Sequence, residues 1–456
     1  MSDVLELDVL GPGGRYRAHR RTPVTEVTGV RVAELSLAPG ILVHRALGAL
    51  RAAGAPSPSR RAEALREAGQ RFADEVVAGL SPEAYATRVS RVSGLPISTV
   101  RSAARALALA AGLAHRTAYA GRPHAAAEHW KDPLPGGRGA LWIRRGEVLC
   151  VNAPGNHPAV HAGWLEALAL GYRVAVRPSR REPLTPHRLV TALRDAGFRD
   201  DEVMLLPTEH AVADDLVRGG DLALVYGGDD AVRRHRGDPR VLTQGPGRSK
   251  ILLHGDSWRT ALDTVVDSVA AEGGAACVNT TAVFVDGDPA PVAEALAERL
   301  SSLRGLPPED EKARLPVYPT ATARALEARF TTSLRDARPW LGGQGIVEEL
   351  GDGSAALRPS VVQVSHAHAP QTAVELPYPC VWVAPWSAKD GTGPLRNTLV
   401  LTAVDCPDPL LDRLAAEPTI SNIYLGRHPT HHQEPGIPHD GYLTDFLMRG
   451  KGIIQG

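Results

Sequence analysis

The chain has 456 residues, with 51 Lys plus Arg against 51 Asp plus Glu. That length allows two or three domains with full cores, and the balanced charge gives no electrostatic basis for binding nucleic acid or an anionic membrane. The 43% apolar content excludes a disordered chain. The longest apolar stretch, Ala106 to Ala114, is too short to cross a bilayer, and Met1 to Glu6 lacks a basic-then-apolar signal pattern. Cys150, Cys277, Cys380 and Cys406 are too scattered for a disulfide framework and have no metal-ligand spacing. A reducing cytoplasm is the expected compartment.

In chain order, the first 120 residues read as helices. Ser57-Pro58-Ser59 opens an amphipathic run to Val77 that Gly79 stops; Ser81-Pro82-Glu83 caps a second helix, and Ser98 a third from Thr99 to about Leu113. Residues 123–147, rich in Pro, Gly and charge, read as an extended connector or hairpin. From 147 onward short β-rich runs alternate with helical ones: strands at 148–151, 173–177, 203–206 and 222–225, helices at 159–170, 186–196, 211–218 and from Asp229. This alternation predicts βαβ units, hence an α/β fold with a parallel sheet covered by helices. Such sheets hold ligands at the carboxyl ends of their strands, where Asn156, Arg177 to Arg180 and Gly227-Gly228 fall.

A second series follows: strand 250–254, helix 258–271, strand 281–285, helix 290–303, then strands at 361–364 and 381–383. The tail from Gly426 to Gly456 has little periodicity and suits an arm lying on a neighbouring subunit. Its His428, His431, His432 and His439 lack metal-ligand spacing and read as a solvated loop.

Two turns carry the chemistry. Cys277 sits in Gly273-Gly274-Ala275-Ala276-Cys277-Val278-Asn279, directly before an apolar strand. A thiol in a glycine-rich turn can approach a flat carbonyl carbon, with backbone N–H groups available to the oxyanion. A helix dipole and those backbone donors are expected to lower its pKa. The second turn, Asn152-Ala153-Pro154-Gly155-Asn156-His157-Pro158, offers the Asn156 amide as another oxyanion donor. The alternative for Asn156 is an Asx turn. Cys150, Cys380 and Cys406 read as buried packing. Gly245-Pro246-Gly247-Arg248-Ser249-Lys250 lacks the spacing of a phosphate-binding loop.

Several ordered motifs resemble the aldehyde dehydrogenase superfamily from about residue 40 to 425, most of all its acyl-CoA reductases that make fatty aldehydes for bacterial bioluminescence. Pro154-Gly155-Asn156-His157-Pro158 is similar to the family's Pro-Trp-Asn-Phe-Pro turn, and Ala169 to Ser179 to its Ala-Gly-Asn-x-Val-Val-x-Lys-Pro-Ser strand. Val225-Tyr226-Gly227-Gly228 stands for Phe-Thr-Gly-Ser, Gly274 to Cys277 for Gly-Gln-x-Cys, and Glu375 to Pro379 for Glu-x-Phe-Gly-Pro. The resemblance implies two doubly wound Rossmann-type α/β domains plus a small oligomerisation element. Residues 1–122 with 148–245 would bind the cofactor, 246–425 would carry the catalytic cysteine, and 123–147 with 426–456 would form oligomerisation arms of a homodimer or homotetramer.

The resemblance further implies Cys277 as nucleophile, Asn156 at the oxyanion, and a cofactor held by Arg177, Ser179, Arg180, Gly227, Gly228 and Glu375. Two departures matter. Gln244 stands where oxidising members have a Glu that activates water, so a thioacyl enzyme would lack its general base and persist until a thiol or hydride meets it. Arg180 stands where an acidic residue accepts the adenosine ribose, which favours NADPH, with NADH the alternative. The expected function is NADPH-dependent reduction of an acyl-CoA or acyl-carrier-protein thioester to an aldehyde, with an acyl-activating ligase as a possible partner. The alternatives are oxidation of an aldehyde to acid or acyl-CoA, and a non-catalytic nucleotide-binding scaffold subunit.

Overall fold

The computed structural model describes residues 4–455. Its first seven-stranded sheet runs, in spatial order, Val241–Gln244, Leu222–Tyr226, Val148–Asn152, Arg173–Arg177, Val203–Leu205, Val9–Gly11 and Gly14–Tyr16. The strands from Val241–Gln244 to Val203–Leu205 are parallel, and an antiparallel hairpin from the N-terminus closes that edge. Val148 to Val151 and Val174 to Val176 are fully buried, as parallel strands covered on both faces require. From Val148–Asn152 the chain builds outward to Arg173–Arg177 and Val203–Leu205, then returns to place Leu222–Tyr226 on the opposite side. That reversal opens a crevice outside the carboxyl ends of Val148–Asn152 and Leu222–Tyr226, the usual ligand position in such sheets.

The second seven-stranded sheet runs Arg338–Leu341, Ser360–Gln363, Cys380–Trp386, Thr280–Asp286, Ser249–Leu253, Thr398–Val404 and Ile420–Leu425, parallel except for its first strand. The chain leaves the first sheet at the carboxyl end of Val241–Gln244 and enters the second at the amino end of Ser249–Leu253. Ser249 pairs with Thr280, so the loop that ends at Thr280 lies beside this crossing. Cys277 is in that loop. The α/β architecture with two doubly wound, parallel-strand sheets is therefore the expected one.

The N-terminal region departs from the helical expectation. Among the described residues, five strands precede Leu37: Leu5–Leu7, Val9–Gly11, Gly14–Tyr16, Arg21–Thr25 and Arg31–Ser36. Each has three to six residues, too short for a clear alternation; they pair mostly with one another, and only Leu10 reaches a distant strand, at Leu205. Ser57 and Ser81 do cap the helices Pro58–Asp74 and Pro82–Ser93, accepting from the N–H groups of Arg60 and Ala84. Ser98 does not cap the next helix, which starts at Ile97 and continues to Ala120 because Ala103, Leu107, Ala111, Ala114 and Ala118 extend one buried stripe.

Residues 138–144 do not fold back on 123–137 as an isolated hairpin. They pair antiparallel with the tail strand Met448–Ile454 of the same chain and parallel with Ala126–Ala127. No helix among the described residues is long and apolar enough to cross a membrane.

Candidate active site

Cys277 is placed by the end of the helix Trp258–Ala270 and the start of the strand Thr280–Asp286. Glu272, Gly273 and Gly274 all have positive φ, which turns the chain sharply between them. A Cβ on Gly274 would lie 2.4 Å from the nitrogen of Pro379, so only glycine fits. Asn279 fixes the loop from inside. Its Oδ1 accepts from Ala276 N–H (2.8 Å), and its Nδ2 donates to the carbonyls of Ala271 (2.8 Å) and Ser268 (3.2 Å). Ser249 Oγ donates to the Cys277 carbonyl at 3.2 Å.

The two turns read from the sequence meet here. Asn156 Nδ2 donates to the carbonyl of Ala275 at 3.5 Å, and His157 Nε2 lies 2.8 Å from Glu272 Oε2. Glu375 Oε2 accepts from Gly247 N–H at 3.1 Å. The Tyr226 hydroxyl donates to the carbonyl of Val160 at 3.2 Å. His439 Nε2 stands 3.8 Å from Cys277 Sγ, so this histidine belongs to the site and not to a solvated loop. Cys277 is half-buried.

The electrostatics correct the expected activation. Burial pushes the Cys277 thiol up to about 12, the Glu375 carboxylate adds to this, and the N–H groups of Cys277 and Val278 oppose it without prevailing. The nearest helix, Trp258–Ala270, approaches with its C-terminal end, the wrong pole for a thiolate. Burial likewise raises Glu375. Burial also works to raise Glu272, but the hydrogen bond and charge of His157 outweigh it and hold that carboxyl below its ordinary value.

The remaining expected residues lie at or just beyond the carboxyl ends of strands in the first sheet. Arg177 is buried and tied down: Nε donates to Thr208 Oγ1 (2.8 Å), Nη1 to Asn152 Oδ1 (2.8 Å) and Nη2 to the Thr208 carbonyl (3.3 Å). It clamps two strand ends together. Ser179 Oγ accepts from Arg181 N–H at 3.1 Å and lies where a Cβ on Gly155 would approach within 2.6 Å. Arg180 is exposed, with no bonded partner among the described residues. A Cβ on Gly227 would meet that of Ala231 at 2.6 Å, whereas Gly228 faces open space and leaves its backbone approachable. Gln244 ends its strand half-buried, three residues before Gly247.

An open glycine backbone and a free guanidinium beside a strand-order reversal fit a nicotinamide dinucleotide. Sequence reasoning missed Asn279, Gly247, Glu272 and His439. Asn279 and Gly247 lie within motifs already noticed, but nothing local shows what they touch. His439 is 162 residues from Cys277.

The aldehyde dehydrogenase family pattern matches residues 38–392. No curated protein sequence matches the chain. Solved structures do. The indole-3-acetaldehyde dehydrogenase AldA of P. syringae, in complex with NAD+ and IAA, superposes with a TM-score of 0.84 at 14% identity, covering 99% of this chain and 97% of the other. The aldehyde dehydrogenase KauB from Pseudomonas aeruginosa gives 0.82 at 15% identity, covering 98% and 96%. Thermus thermophilus 1-pyrroline-5-carboxylate dehydrogenase gives 0.82 at 17%, covering 99% and 93%. At these identities the likeness shows the fold alone, while the family follows from the matched pattern. The chain belongs to the aldehyde dehydrogenase family of NAD(P)-dependent oxidoreductases acting on aldehyde groups.

Proposed function

We propose that this chain reduces an acyl thioester to an aldehyde through a thioacyl Cys277, with NADPH as the preferred reductant. The observation that carries the reading is Gln244, which ends its strand three residues before the Gly247 backbone that touches Cys277. An amide cannot take a proton from water, so Gln244 offers a thioacyl enzyme no general base for hydrolysis. Carboxylates near Cys277 are engaged: Glu272 with His157, Glu375 with the Gly247 N–H and Asp440 with the Ser421 hydroxyl.

Cys277 attacks the thioester carbonyl, and the thiol of coenzyme A or a carrier protein leaves. The Cys277 N–H, and the Asn156 amide once turned from Ala275, stabilise the oxyanion. A bound nicotinamide supplies the hydride that takes the acyl group to the aldehyde level. Arg180, exposed and unpaired among the described residues, suits a 2′-phosphate, since its guanidinium can form two parallel hydrogen bonds to it. An acyl-activating ligase as supplier of the thioester, and a homodimer or homotetramer built on the paired 138–144 and 448–454 strands, complete the reading.

A second reading, oxidation of an aldehyde to acid or acyl-CoA, is favoured by the dehydrogenases whose structures this chain resembles. Nicotinamide oxidation followed by absorbance across a panel of acyl-CoA thioesters, beside Cys277→Ala, tests the first. Aldehyde formation that disappears in the variant supports it. Turnover only with aldehydes and oxidised cofactor transfers the assignment to the second.

A further inference from the structure

The family pattern ends at residue 392, yet one side chain from beyond it reaches the nucleophile. After the strand Ile420–Leu425, the tail is fastened back over the second sheet. Thr430 N–H donates to Ser268 Oγ and its hydroxyl meets that of Thr280, both at 3.1 Å. Asn422 Nδ2 donates to the carbonyl of His439, and Ser421 Oγ to Asp440 Oδ1 at 2.8 Å. The His439 carbonyl and the Asp440 side chain are thereby held, and the ring Nε2 lies 3.8 Å from Cys277 Sγ. Both residues keep some solvent exposure, so a substrate carbonyl can approach the pair.

We propose that His439 is the proton-transfer partner of Cys277. Its Nε2, in the Nδ1–H tautomer, accepts the thiol proton as sulfur bonds to the carbonyl carbon and the carbonyl π pair moves to oxygen. When the tetrahedral adduct of a thioester collapses, the carbon–sulfur bond to the carrier breaks and the departing thiolate takes that proton from the imidazolium. After hydride transfer the thiohemiacetal oxyanion expels Cys277 as thiolate with the aldehyde, and a proton from solvent restores the thiol. The proposal rests on Cys277 being the nucleophile, and holds for either direction of reaction.

The surroundings favour a neutral pair at rest. Burial lowers the His439 imidazole while Asp440 opposes it, and burial raises Cys277 with help from Glu375 and Asp440. Tyr226, raised by burial, also feels the charges of Cys277, Glu166 and Asp440. A thiol so reluctant to ionise calls for a base in contact with it.

The test is iodoacetamide alkylation of Cys277 in the full chain, mapped by peptide mass, across mildly acidic to mildly alkaline pH. Cys277→Ala serves as the control for Cys150, Cys380 and Cys406. The wild-type rate is expected to level off once His439 is neutral. In His439→Gln it is expected to fall by about 10² at neutral pH and to rise tenfold per pH unit without a plateau. Added imidazole is expected to restore part of the rate in His439→Ala, a rescue that a merely structural residue would not allow. Equal rates and pH profiles in wild type and His439→Gln, with unchanged melting, overturn the proposal. A wild-type Cys277 that fails to alkylate overturns it together with the nucleophile assignment. His439-dependent alkylation without thioester turnover supports it, and overturns only the substrate reading above.

Discussion

Gly247 and Cys277 are in backbone contact: a Cβ built on Gly247 would lie 1.9 Å from the Cys277 carbonyl oxygen and 2.8 Å from its α-carbon. Gly247 is itself pinned, since its carbonyl accepts from Leu399 N–H at 2.9 Å and its N–H donates to Glu375. Neither loop can yield without moving the nucleophile. Gly247→Ala is therefore expected to cost about 1–3 kcal/mol of stability through overpacking. Turnover is expected to fall about 10² through misplacement of the sulfur on the order of 1 Å. A thermal melt beside a turnover assay checks both. Wild-type turnover in a folded Gly247→Ala would mean that the Cys277 loop tolerates displacement.

Gln244→Glu asks whether the missing base is what protects the acyl enzyme. The side chain has no hydrogen-bond partner among the described residues, so the carboxylate enters without breaking a bond. With a base supplied, hydrolysis of the thioacyl enzyme is expected to rise by roughly 10², the lower end of what a positioned base contributes. Quantifying free acid against aldehyde from one acyl-CoA reports it. An unchanged acid yield would show that something other than the amide excludes water chemistry.

Arg180 is an exposed cation with no ion-pair partner among the described residues, beside Ser179 beyond the carboxyl end of Arg173–Arg177. Arg180→Glu places a carboxylate where a 2′-phosphate would lie. NADPH affinity is expected to weaken by about tenfold to a hundredfold, the worth of a charge-assisted pair of hydrogen bonds. NADH is expected to change little. Fluorescence titration of the two cofactors decides it: a parallel loss of both would place Arg180 in folding, and no loss of either would place the phosphate elsewhere.

The second half of the first domain was legible because its strands are continuous apolar runs, separated by helices with their own period. Arg173–Arg177 falls where expected and Leu222–Tyr226 ends one residue later, since burial on both faces leaves few other readings. The strands before Leu37 were not legible, and neither was Ile420–Leu425, whose exposed Ser421 and half-buried Ile423 interrupt the apolar signal. In the site, Cys277 and Asn156 announced themselves by local motif. His439 could not, because its meaning depends on Asn422, Ser421 and Thr430 folding the tail back toward Cys277. The thiol's high pKa was hidden too. It comes from burial and from Glu375, which is 98 residues away in the sequence and adjacent only in the fold.

Acid stability offers a check on the helix that follows the Asn156 turn. His161 is 1% exposed, accepts from Trp164 Nε1–H at 3.1 Å through Nδ1, and is pushed by burial down to about 3. Its folded-state pKa lies below that of the unfolded chain, so the unfolded state binds the proton first. The stability it contributes is complete above about 6.5 and is lost as pH falls through the window down to about 3. At pH 5 the loss is about 2 kcal/mol. His187, pushed down to about 4 by burial, acts in the same direction. Glu166 acts the other way: burial raises it to about 7, so acidification through that range relieves its cost. The net acid response of the wild type is thus a difference of opposing terms. His161→Gln removes one of them while the amide oxygen can still accept from Trp164. The variant is expected to melt near the wild type at pH 7 but to lose less stability than the wild type between pH 7 and pH 5, since the His187 and Glu166 contributions are common to both chains. Parallel acid shifts in the two melting curves would mean that the His161 ring is already solvated in the folded protein.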